Sequence, residues 1–138
     1  AARSLEKGRA AVDAIAEVAA GTQEPPRVFR CDLASLESVR TFVAELAVTD
    51  AAAVDVLVNN AGAILNGAAK SREGAELTFA TCALGHHLLS HLLRPRRVVW
   101  VTGDVYCLAR GPARPDFPGS GSAAYFNACL ARLLLARA

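Results

Sequence analysis

Residues Val54-Asp55-Val56-Leu57-Val58-Asn59-Asn60-Ala61-Gly62 form an apolar run that ends abruptly in two amides and a glycine. A near-continuous Val/Leu run predicts a buried parallel strand, and an open α/β sheet places its ligand at the carboxyl end of such a strand. Amide side chains there can fix neighbouring backbone, while Ala61 and Gly62 leave room for a flat group. Taken alone, the run also fits an ordinary strand followed by an Asn/Gly turn. The surrounding segments decide between the two.

Helical and strand-like segments alternate along the rest of the chain. Ala, Val and Ile recur at helical spacing from about Leu5 to Ala20, with a stop at Gly21 and a Pro25-Pro26 turn beyond. Arg27-Val28-Phe29-Arg30-Cys31 reads as a short strand. Asp32 to Ser35 reads as a turn, with Ser35 the N-cap of a helix through about Val48. After the Val54 strand, a long Leu/Ala-rich helix is expected from about Arg72 to Leu93, ended by Arg94-Pro95. Arg97-Val98-Val99-Trp100-Val101 is the next strand, a loop with Pro112, Pro115 and Pro118 follows, and a last helix runs from about Ser122 to the end. This alternation predicts an α/β fold, a parallel sheet covered by crossover helices. No repeat or linker divides residues 1–138, so one domain is expected.

At 138 residues and 53% hydrophobic composition, the chain can build a core. Its net charge of +2, from 15 basic and 13 acidic residues, gives no field that selects nucleic acid or a membrane surface. Arg94, Arg96 and Arg97 read as a solvated connection. No apolar run approaches the roughly 18 residues of a membrane span. Methionine is absent even at position 1, which suggests a piece of a longer product. Cys31, Cys82, Cys107 and Cys129 make no Cys-x-x-Cys pair, so no zinc cage or disulfide scaffold is expected. Reduced thiols in an intracellular, by default cytoplasmic, setting are the simplest expectation.

Five landmarks stand in a telling order: Ala2-Arg3-Ser4-Leu5-Glu6-Lys7-Gly8, Cys31-Asp32-Leu33-Ala34-Ser35, Val56 to Gly62, Leu84-Gly85-His86 and Tyr125. In that order they resemble the short-chain dehydrogenases/reductases, most closely the retinol-dehydrogenase-like branch, over essentially the whole chain. The resemblance implies a partial Rossmann-type doubly wound parallel sheet of about three strands, with NADP(H) as cofactor. It implies an oxidoreductase that moves a hydride between nicotinamide and a small carbonyl or alcohol. Residues 1–138 would then be a single incomplete dinucleotide-binding domain. Its first strand, Gly-rich turn and first helix would lie upstream, and its last strands downstream. Gly119-Ser120-Gly121-Ser122-Ala123-Ala124 fits G-x-G-x-x-A as a string. It follows Pro118 instead of a strand, so it is read as a chance match.

The resemblance also assigns roles by position. Arg3 would meet the 2′-phosphate of NADP, against the plainer role of a solvated arginine. Asp32, with Leu33 beside it, would contact the adenine amino group, against a turn or helix-capping role. Asn59, Asn60, Ala61 and Gly62 would line the cofactor channel, with Tyr125 at its reacting end. In this family a tyrosine acid/base works with a lysine that lowers its pKa, a serine on the carbonyl oxygen and an asparagine that holds a relay water. Tyr125 is in place, but Cys129 stands where lysine belongs and Cys82 where asparagine belongs. The serine position falls on Gly103, or on Asp104 with a one-residue shift, and Thr102 beside them is a partial substitute.

Two classes therefore remain open: an impaired NADP-linked oxidoreductase, and a non-catalytic binding module or truncated product. Cys82 and Cys129 could form a thiol pair near Tyr125, although buried cysteine more often fills apolar space. His87 and His91 are four residues apart, as a metal would need, but lack a third ligand. His86 reads as structural, and no metal is expected. The Val54 and Trp100 strands should form a parallel pair. The Arg27 to Cys31 strand should be unpaired or moved across a gap, and exposed edges should favour self-association.

Overall fold

The computed structural model describes residues 1–18, 26–49, 53–67 and 69–137. Helix α1 spans Leu5–Val18; the expected stop at Gly21 and the residue Pro25 lie outside the described residues. Helix α2 spans Leu36–Ala47, and Ser35 caps it as expected, its Oγ accepting from the Ser38 N–H at 3.2 Å. Strands β1 (Val56–Asn59) and β2 (Arg97–Trp100) pair in parallel, with Val56 opposite Arg97 and Asn59 opposite Trp100. The last helix, α5, spans Gly121–Leu135.

Two sequence expectations need correction. The Arg27 to Cys31 segment stays unpaired with the sheet, as expected, but forms no strand of its own, so the sheet holds two strands among the described residues instead of about three. It touches the chain's own start through one parallel bridge, Ala2 to Arg30, in which the Ala2 N–H donates to Phe29 O (2.9 Å) and the Cys31 N–H to Ala2 O (3.0 Å). A ladder grows only where a neighbouring strand continues alongside, and a cleft separates this bridge from β1. The helix expected from Arg72 begins five residues later. Ser71 and Gly74 close a turn, with Gly74 at φ +84°, and Lys70 bridges antiparallel to Glu76.

Helical structure then starts at Glu76, whose carboxylate accepts from the Thr78 and Phe79 N–H groups at 3.0 and 2.7 Å. Short helix α3 (Leu77–Phe79) passes into a π-helical turn over Ala80–Leu84 and then into α4 (Gly85–Leu93). Such a wide turn shifts the side chains after it around the helix, and single π turns recur at functional sites. Arg94 ends α4 in a left-handed conformation, φ 46°, directly before Pro95.

The β1 side chains alternate between faces. Leu57 packs against the buried cluster of Cys31, Val39, Phe42, Leu46 and Leu89, where Phe29 meets Phe42 edge-on at 6.0 Å. Val56 and Val58 point the other way and remain 53% and 55% exposed, beside exposed Val99 and Val101 on the β2 side. One sheet face is therefore covered and the other is open. A second cluster, Phe79, Cys82, Ala83, Ala128 and Ala131, joins α5 to the π-helical turn. Its small side chains allow the close helix approach that brings Tyr125 and Cys129 toward Cys82.

Candidate functional site

The site is built where β1 ends. Asn59 is fully buried, and its side chain turns toward α4: Nδ2 donates to Ser90 Oγ at 2.9 Å, and Oδ1 lies 3.0 Å from His86 Nδ1. The other ring nitrogen of His86 lies 2.7 Å from Ala61 O. A neutral imidazole carries one N–H, so the two contacts cannot both be donated by the ring. The one ring N–H serves either Asn59 Oδ1 or Ala61 O, while the Ser90 hydroxyl accepts from Asn59 Nδ2 and donates its own proton to His86 O at 2.9 Å. Burial pushes the His86 pKa down to about 4, so the ring is neutral at pH 7. The structural reading of His86 thus acquires a mechanism: it ties the Asn59-Asn60-Ala61-Gly62 turn to α4.

A cleft of about 510 Å³ opens along the free edge of β1, between that strand and the Ala2–Arg30 bridge. Arg3, Asp32, Leu33, Asn59, Ala61 and Gly62 all line it, although they are spread over some sixty positions of sequence. Asp32 is held by the turn it helps to make: Oδ1 accepts from the Ala34 N–H and its own N–H donates to Ser38 Oγ, both at 3.0 Å. Its capping role is therefore real, and it does not exclude the other. Leu33 is carried against α4, because a Cβ on Gly85 would lie 2.2 Å from Leu33 O. That close approach is the physical meaning of Leu84-Gly85-His86. Asn60 is exposed and, with Tyr125, lies outside the residues lining the cleft.

The second part of the site lies between α5 and the π-helical turn. Tyr125 is partly buried, and Cys82 and Cys129 are buried to 0% and 1% exposure. The Cys129 thiol beside it, then burial, raise the Tyr125 phenol above its ordinary pKa, while the Arg132 guanidinium pulls it down. Burial likewise pushes the Cys82 thiol up, against a contact with Ala63 O at 3.6 Å. The Thr102 hydroxyl donates to Cys129 O at 3.1 Å, which commits its proton to helix backbone. Gly103 precedes a 3-10 turn over Asp104–Leu108, and Asp104 is exposed.

Arg132 is the residue that sequence reasoning missed. It is 2% exposed, and its guanidinium donates to Cys82 O (2.6 Å), Val101 O (2.7 Å) and Ala61 O. The available signal was an arginine inside the apolar run Leu130 to Leu135, seven residues after Tyr125. His87 and His91 are exposed, and no cluster of three or more metal-ligating side chains occurs among the described residues. The four cysteines are free thiols. Gly119 to Ala124 follow a proline loop and open α5; a Cβ on Gly119 would strike the Phe117 ring, a packing reason for that glycine. No described helix is long and apolar enough to cross a membrane.

No protein-family model matches the chain. Retinol dehydrogenase 14 of Mus musculus is 40% identical over 93 residues, covering 62% of this chain and 28% of that protein. The crystal structure of an uncharacterized protein from Mycobacterium paratuberculosis superposes with a TM-score of 0.77 at 31% identity, covering 96% of this chain and 48% of that one. A metagenomic short-chain oxidoreductase (SDR), solved in complex with NADP, superposes at 0.67 and 23% identity, covering 96% of this chain and 58% of that one. The chain thus spans between about a quarter and three fifths of the length of these proteins.

Proposed function

Because the chain belongs to the short-chain dehydrogenase/reductase family, of whose members it matches a part, we propose that it forms an NADP(H)-binding oxidoreductase scaffold with impaired hydride transfer. The observation that carries this reading is the convergence of Arg3, Asp32, Leu33, Ala61 and Gly62 on one cleft. An exposed guanidinium suits a 2′-phosphate, a carboxylate held by its own turn suits an adenine amino group, and two residues with little side chain admit a flat ring. The chemistry of the donor set therefore fits the adenosine end of the dinucleotide. The bound nicotinamide would supply or accept the hydride.

What the chain's own residues do at the proton is less favourable. Reduction of a carbonyl needs Tyr125 Oη to give up a proton, and oxidation of an alcohol needs the tyrosinate to take one. With its phenol held above the ordinary value, Tyr125 stays protonated at pH 7 and is a weak acid. Residual activity on a small carbonyl or alcohol is thus biased toward reduction. Cys129 gives no cation at its position, and the Thr102 proton is already committed. The Cys82 carbonyl is taken by Arg132, which leaves less of a relay there. These same replacements favour a second reading, a non-catalytic binding module. Self-association through the free β1 edge and the open Val56/Val58 face belongs to either reading.

Titration with NADPH, followed by nicotinamide absorbance with small aldehydes and ketones, tests the proposal. Binding with slow reduction is the expected result. Binding with no turnover favours the second reading, and absence of binding overturns both.

A further inference from the structure

We propose that Arg132 is the site's replacement cation: a positioning residue that braces the ends of β1, β2 and the π-helical turn and lends its charge to the Tyr125 hydroxyl. The inference rests on Tyr125 being the proton-handling group of the proposed function. A guanidinium 2% exposed is a costly thing to bury, and its hydrogen-bond partners are three backbone carbonyls, from the ends of β1 and β2 and from the π-helical turn, with no carboxylate among them. Carbonyl dipoles satisfy its N–H groups without cancelling its unit charge. The guanidinium therefore keeps its charge beside Cys82, where the buried Glu76 carboxylate at the start of α3 acts in the opposite sense.

Placement decides which groups feel it. Tyr125, Cys129 and Arg132 follow at i, i+4 and i+7 on α5, so they share one helix face, and the cation stands one turn beyond the position that lacks it. Gly62 is the complement of that placement: a Cβ there would lie 3.1 Å from Arg132 Nη2 and 3.3 Å from Cys82 Sγ. Any larger residue would push the guanidinium or the thiol away. Arginine also suits the task better than lysine. A buried lysine loses its proton readily, whereas a guanidinium stays charged.

The groups facing Tyr125 comprise Cys129 and Arg132 from α5 and Cys82 from the π-helical turn. Both thiols push its ionisation up, and Arg132 alone of the three pulls it down. Three carbonyl contacts also explain why Ala61 is held from two sides, by Arg132 and by His86.

The test uses the 138-residue chain with Tyr106→Phe, leaving Tyr125 the single tyrosine of the two in the sequence. Incorporated 3-fluorotyrosine brings the phenol's ionisation nearer neutrality, and its fluorine resonance reports the midpoint without any cofactor. Arg132→Gln should move that midpoint up by about one pH unit. Arg132→Lys should restore only a minor part of it, because an ammonium buried at that position loses its proton over the range in which the phenol ionises. Both variants should melt lower, because carbonyl contacts are lost. An unchanged midpoint in Arg132→Gln would overturn the proposal and leave Arg132 a purely structural pin. Arg132→Met, apolar and of similar length, serves the same comparison if the glutamine variant does not fold. No cofactor enters the measurement, so its failure is distinct from a failure to bind NADPH.

Discussion

Replacing Gly85 by alanine places helix propensity against backbone packing. Alanine is the better residue inside α4, by about 1 kcal/mol. The added Cβ, however, would lie 2.2 Å from Leu33 O, 2.9 Å from Leu33 C and 3.0 Å from its Cα. All three are main-chain atoms, so no rotamer change relieves the clash. The Cys31 to Ser35 segment and α4 must separate by the better part of an ångström. That segment is held by the hydrogen bonds Cys31 N to Ala2 O, Asp32 N to Ser38 Oγ and Ala34 N to Asp32 Oδ1. Losing two or three of them, at about 1 kcal/mol each, outweighs the propensity gain. The net cost is about 1–2 kcal/mol, a fall in Tm of roughly 4–8 °C for a chain of this size. Urea and thermal unfolding followed by circular dichroism measure it, with His87→Ala on the exposed face of α4 as the neutral control. A Gly85→Ala chain as stable as the parent would show that Leu33 does not sit on α4 as described.

Further outcomes follow from the same contacts. Because the folded-state pKa of His86 is depressed from 6.5 to about 4, the unfolded chain binds its proton first. Stability should be fully present above pH 6.5 and fall between there and pH 4, by up to about 3 kcal/mol; His86→Gln should flatten that part of a stability-against-pH curve. Glu76→Ala removes the acceptor of two N–H groups at the start of α3 and should cost about 1–2 kcal/mol by urea denaturation. Val58→Lys charges the open sheet face and should lower any self-association seen by sedimentation, without lowering Tm. If NADPH turnover is detected, Cys129→Lys should raise it by about tenfold or more, and a fall would count against Tyr125 as the proton donor.

The strand and turn of the Val56 to Gly62 run are legible as local patterns, but the burial expected of a Val/Leu run holds only on the Leu57/Asn59 face, with Val56 and Val58 left exposed. The β1–β2 pairing was also expected and is present. Ser35 was readable as a cap because capping involves three neighbouring residues. The Arg27 to Cys31 segment stays apart from the sheet, as expected where its neighbour is missing, and without one its Val/Phe alternation does not make a strand. Helical spacing continued through Arg72 to Gly74, but the turn there depends on a positive φ and on Glu76 as a cap, neither visible in periodicity. His86 was recognised as structural, yet its grip on Asn59 and Ala61 spans more than twenty residues. Arg132 escaped notice because its acceptors are backbone carbonyls, which no side-chain motif encodes.

In the proposed function, Arg3, Asp32, Leu33 and the Ala61-Gly62 turn hold the adenosine end of the cofactor. Calorimetric titration of the chain with NADPH and with NADH tests it most directly. NADPH should bind with a dissociation constant on the order of 10⁻⁴ M, NADH at least about tenfold more weakly, and Arg3→Ala should abolish that difference. Equal affinity for the two nucleotides, or no heat from either, would contradict it.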